Sequence, residues 1–67
     1  MSQDDKILAH LEAGNTVTPF EALQIAGTLA LHSCIARLRR RGYRIDMTLE
    51  RENGRQYGRY WLTIPTG

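Results

Sequence analysis

The stretch IARLRRRGYRI, Ile35 to Ile45, places four arginines within five positions and follows them with a glycine and a tyrosine. Leu31, Ile35 and Leu38 recur at helical spacing, flanked by Cys34, so the stretch reads as the second half of a helix with one apolar stripe. Gly42 suits the left-handed residue that closes such a helix. Tyr43 behind it is placed to touch Leu38 in a Schellman arrangement. The arginines admit two explanations. Cations complement the unpaired carbonyls of a helix C-terminus, or a polyanion lies opposite.

Upstream, Gly27 breaks the helical pattern and Thr28 is positioned to cap the helix that follows. The preceding TPFE, Thr18 to Glu21, is the strongest local signal in the chain. Thr18 can accept from the free amides of a new helix, Pro19 fits the first helical position, and Glu21 can reach back to complete a capping box. This helix should run to about Ala26, with Phe20, Leu23 and Ala26 or Ile25 facing inward. Thr16 and Val17 before it are short and β-prone. Ile7, Leu8 and Leu11 place an earlier helix from about Ser2 or Gln3 to Ala13, closed by Gly14 and Asn15.

Downstream of Tyr43 the hydrophobic period changes from 3.6 to 2. Ile45, Met47 and Leu49 alternate with polar residues, as do Gly58, Tyr60 and Leu62. Asn53-Gly54 between them is a favoured two-residue hairpin turn. Closing the chain there pairs Leu49 with Gly58, Met47 with Tyr60 and Ile45 with Leu62 on one face. Glu50 with Tyr57, Thr48 with Arg59 and Asp46 with Trp61 then share the other. Two helices joined by a tight turn and followed by a hairpin make an α+β winged helix-turn-helix, in the order α-β-α-α-β-β. The helix-turn-helix spans about residues 18–42 and the wing about 43–63 of a single domain, 1–67.

With 67 residues, a fold of this size buries about 60 % of its unfolded surface, which leaves little room for a deep substrate pocket. Charge is distributed unevenly. Residues 1–36 carry Lys6 against four acids, and residues 37–67 carry eight arginines against three acids, so the halves hold −3 and +5. Arginine offers a planar fork of donors that matches phosphate and guanine, and the basic half contains no lysine. The asymmetry favours a polyanionic partner. One cysteine, Cys34, excludes an internal disulfide and suits a reducing, cytoplasmic setting. MSQDD leads into no long apolar run, so neither a signal peptide nor a membrane span is expected.

TPFEAL, IARLRRRGYRI and RQYGRYWL together resemble the small winged helix-turn-helix domains of bacteriophages and prophages, over roughly Ile7 to Leu62. Thr18, Glu21, Ala22, Leu23, Ile35, Leu38, Arg39, Gly42, Tyr43, Ile45, Tyr60 and Leu62 carry the likeness. Most of these are framework positions. Many relatives have a basic or polar residue where this chain has Cys34. The resemblance implies a DNA-binding role in transcription regulation, in the cytoplasm of a bacterial host and on its nucleoid.

On a helix running from Thr28, the residues opposite the apolar stripe are Leu29, Ser33, Ala36 and Arg40, with His32 and Arg37 at its flanks. Small side chains at 33 and 36 let a helix sit deep in a major groove about 12 Å wide, where Arg37 and Arg40 could reach base edges or phosphates. Arg39 and Arg41 point to the flanks. Arg51, Asn53, Gly54 and Arg55 cluster at the wing, where backbone amides and arginines can meet phosphates or enter the minor groove. A Glu52–Arg55 cross-strand pair is the competing use of that charge. The expected DNA contacts are therefore Thr28, Leu29, His32, Ser33, Ala36, Arg37, Arg40, Arg51, Asn53, Gly54 and Arg55.

Catalytic readings find no support in the residue pattern. His32 and Cys34, two apart on a helix, diverge, and His10 stands among apolar neighbours. Glu50 and Glu52 share a strand face on an exposed hairpin with arginines across from them. No catalytic residue, metal site or cofactor is expected. The leading expectation is a sequence-specific binder of double-stranded DNA. Its rivals are an excisionase-like recombination factor that bends DNA, and an interaction module whose Trp61, Tyr57 and arginines take an acidic protein. The free protein should be a monomer that self-associates on repeated sites, through Trp61 or the tail Thr63 to Gly67.

Overall fold

The structure, a computed structural model, describes residues 2–63. Three helices, α1 (Gln3–Glu12), α2 (Pro19–Ala26) and α3 (Leu31–Arg40), precede two strands, β1 (Ile45–Glu52) and β2 (Arg55–Leu62), which form one antiparallel hairpin. Ile7 and Leu11 of α1, Val17, and Cys34, Ile35 and Leu38 of α3 are the most deeply buried side chains. Ile45 at the base of the hairpin closes that core, with Tyr43, Tyr60 and Leu62 packed around it.

Local chemistry sets each boundary. Ser2 caps α1 by accepting from the Asp5 amide at 3.1 Å, and Asp4 and Asp5 occupy the positive end of that helix. Thr18 and Glu21 form the expected capping box, with the Thr18 amide donating to Glu21 Oε1 at 3.0 Å. Gly27 ends α2 at φ 65°. At the end of α3, the Gly42 amide donates to Arg39 O at 3.0 Å and the Tyr43 amide to Leu38 O at 3.2 Å. Those two bonds, around Gly42 at φ 101°, are the Schellman motif.

Two expectations about the helices need correction. Phe20 and Leu23 do not face inward: Phe20 is 68 % exposed and Leu23 is also on the surface. Ala26 is buried as expected, with Ile25 half-buried beside it, and Ala22 is buried in place of Phe20 and Leu23. The entry to α2 explains the rotation. Val17 and Thr18 are buried, and Val17 is bonded to Tyr60, so the first turn of α2 is fixed with Phe20 outward. The second correction concerns Thr28, which does not cap α3. Its buried hydroxyl accepts from the Ala30 amide at 3.0 Å, and Ala30 takes the N-cap position without a side-chain bond. The competing local turn delays the helix to Leu31.

The hairpin register is the one expected, from Ile45↔Leu62 to Glu52↔Arg55. Asn53 at φ 51° and Gly54 at φ 77° supply the positive angles of a type I′ turn. The apolar face is buried only at its base. Met47 is 44 % and Leu49 64 % exposed, so the distal half projects as a wing. The expected short strand is a single bridge, Val17↔Tyr60. Arg39 joins helix to wing by donating through Nη2 and Nε to Ile45 O at 2.6 and 3.1 Å.

Candidate nucleic-acid interface

The apolar stripe of α3 is spent on the core, and His32, Ser33, Ala36, Arg37 and Arg40 are exposed. Leu29, one turn residue before the N-cap, is 88 % exposed. Thr28 is turned into the fold and serves the turn. Ser33 and Ala36 leave the middle of the outward face shallow, and Arg40 stands at its end.

The four clustered arginines have separate fates. Arg37 donates through Nε and Nη2 to the Asp4 carboxylate at 2.7 and 2.9 Å, and through Nη2 to Cys34 Sγ at 3.4 Å. Arg41 lies 3.6 Å from Asp5 and 5.6 Å above the Tyr43 ring, in cation–π range. Arg39 holds the Ile45 carbonyl. Arg40 has no ion-pair or hydrogen-bond partner among the described residues. Arg37, expected to reach base edges or phosphates with Arg40, is paired instead, and the acids that meet Arg37 and Arg41 come from α1.

These contacts set the local titration. The Arg37 guanidinium holds the Asp4 carboxyl below its ordinary value, and Asp4 in turn raises Arg37. Burial pushes the Cys34 thiol up, with the Asp4 hydrogen bond acting in the same direction, so Cys34 is an unreactive core residue.

At the wing, Arg51, Asn53, Gly54 and Arg55 are all exposed. Glu52 and Arg55 are opposite each other in the ladder, yet no ion pair joins them within 4 Å. Glu52 accepts instead from the Tyr57 hydroxyl at 3.5 Å. Arg51 and Arg55 are likewise without an ion-pair partner among the described residues. Arg59 is committed elsewhere, donating to Glu50 at 2.6 Å and to the Thr16 hydroxyl at 2.8 Å. That pair lowers the Glu50 pKa and raises that of Arg59. Trp61 and Tyr57 are half-buried, and the tail residues 64–67, expected to contact neighbouring copies, lie outside the described residues. His10 bonds to Thr16 O at 2.8 Å and so fixes the loop after α1.

A tight-turned helix pair whose second helix presents a shallow outward face, with a hairpin that carries Arg51 and Arg55 near its tip projecting from its end, defines a DNA-binding module of the winged helix-turn-helix class. The family model described as winged helix-turn-helix domain matches residues 2–65, and the chain belongs to that family. No curated protein and no solved structure matched the chain. No helix among the described residues is long and apolar enough to cross a membrane.

Proposed function

We propose that the protein is a sequence-specific binder of double-stranded DNA and regulates transcription for a bacteriophage or prophage inside its bacterial host. The outward face of α3 enters the major groove, where Leu29, His32, Ser33, Ala36 and Arg40 meet base edges. An exposed leucine suits a thymine methyl, and an arginine suits guanine. Arg51, Asn53, Gly54 and Arg55 follow the phosphate backbone or the adjacent minor groove. The observation that carries this reading is the placement of the uncommitted cations. Among the described residues Arg40, Arg44, Arg51 and Arg55 are exposed and free of ion pairs, while Arg37, Arg41 and Arg59 are paired with acids of the fold. The phage assignment rests on the motif likeness alone.

Selection from a random duplex pool, followed by salt titration on the recovered site, tests the proposal. A defined motif should emerge, and log affinity should fall against log salt with a slope of about −0.9 per neutralised phosphate. A pool that yields no enriched sequence, or affinity that is indifferent to salt, would overturn it.

A further inference from the structure

The acidic first turn of α1 lies against the arginine-rich end of α3. Asp4 is half-buried and accepts both Nε and Nη2 of Arg37, the fork-on-fork geometry that a phosphate would also present. One residue on, Asp5 stands 3.6 Å from Arg41. Both arginines stay half exposed at the side chain, so they are reachable from solvent while paired. The pairing is also anchored. Ser2 caps the turn that bears the aspartates, and Gln3 donates to Gly27 O at 3.3 Å, which ties that turn to the α2–α3 corner. The first turn of α1 cannot retreat without breaking these bonds.

We propose that Asp4 is a specificity-determining residue for nucleic-acid binding, acting as an internal counter-anion that competes with backbone phosphate for Arg37. This rests on the DNA-binding reading. A phosphate that takes Arg37 must displace a bidentate carboxylate already in place. Unselective attraction to any duplex is thereby reduced by one cation, and base contacts along α3 supply a larger share of the affinity. Asp5 does the same more weakly for Arg41, because its contact is longer and more exposed. Asp4 acts here through Arg37, as a positioning residue.

The test is salt titration on a random-sequence duplex. Asp4→Asn removes the counter-anion but keeps a side chain of the same shape. Its log–log salt slope should steepen by about 0.9, one added phosphate, so its advantage over the parent grows about eightfold for each tenfold dilution of salt. Asp4→Glu should restore the parental slope. Glu12→Gln makes the same change in net charge at the far end of α1 and should leave the slope unaltered. The gain should vanish when Asp4→Asn is combined with Arg37→Ala. An unchanged slope in Asp4→Asn, a gain that survives Arg37→Ala, or an equal gain from Glu12→Gln would overturn the proposal. The parent protein gives a second readout that needs no variant to fold. The Arg37 Nε–H resonance should stay in place as random duplex is added at low salt, because Asp4 keeps the guanidinium, and a resonance that shifts as the duplex binds would overturn the counter-anion. A parent protein with no duplex affinity removes the DNA-binding reading and this inference with it. Parental binding with an unaltered Asp4→Asn slope removes only the inference.

Discussion

Val17 and Tyr60 exchange both of their main-chain hydrogen bonds, each at 2.8 Å, so the return strand of the wing is tied to the loop that launches α2. Val17 is fully buried at this junction. Val17→Ala deletes two buried methyl groups at about 0.8 kcal/mol each and leaves a small cavity, for a cost of about 2 kcal/mol. In a domain of this size that lowers the melting temperature by roughly 8–16 °C. Thermal unfolding followed by circular dichroism checks it, and a shift of about 1 °C would show that the junction is not a point of stability.

Gly54→Val puts a β-branched side chain where φ is 77°. No neighbouring atom lies within 4 Å of a Cβ placed there, so the cost is backbone strain alone, about 1–2 kcal/mol. The wing tip should loosen, and the same conversion puts the fall in melting temperature at roughly 4–16 °C. Duplex affinity should fall for all sequences alike. Full affinity in this variant would count against any wing contact.

Arg40→Ala and Arg55→Ala should separate base reading from backbone attraction. The first should cost about 1–3 kcal/mol on the preferred site and relax preference at one base position. The second should weaken binding to every duplex and flatten the salt slope by about 0.9. Matching behaviour of the two variants would refute the division of labour between helix and wing.

Acid should weaken the fold through Asp4 and Glu50. Both carboxyls sit below their ordinary values of 3.8 and 4.5, Asp4 through Arg37 and Glu50 through Arg59. A carboxyl depressed in the folded state binds fewer protons there than in the unfolded chain, so stability rises with pH across the interval between its two values. The contribution is complete above the ordinary value and is lost as pH falls through the folded one. Around Asp4 the interacting groups are Arg37, Cys34 and Arg41; around Glu50 they are Arg59 and Tyr57. Urea unfolding should show an acid decline below about pH 4.5 that is shallower in Asp4→Asn. Equal declines in the two proteins would mean that the Asp4–Arg37 pair adds no stability.

What could be read from the sequence was local. Asn53-Gly54 dictates its turn, the turn dictates every cross-strand pair, and Thr18 to Glu21 and Gly42-Tyr43 carry their caps within a few residues. The misread parts depend on distant partners or on close local competition. Phe20 and Leu23 look like core residues because bulk usually goes inside, but Ala22 and Ala26 are the side chains of α2 buried in the core. Thr28 has the chemistry of a cap, and a two-residue hydroxyl turn claims it first. Arg37 and Arg40 look equivalent along the helix. Only the packing of α1 distinguishes them, through Asp4, 33 positions away in sequence.

Arg39 clasps the first carbonyl of β1, so the end of α3 and the base of the wing are joined across the Gly42 corner. The protein is thereby a caliper with one fixed setting. On the proposed reading, helix tip and wing tip meet DNA at a separation that the fold sets before any duplex arrives. A target lengthened by a single base pair between the two contacts would satisfy one jaw and miss the other, and Arg39→Ala would loosen that hinge.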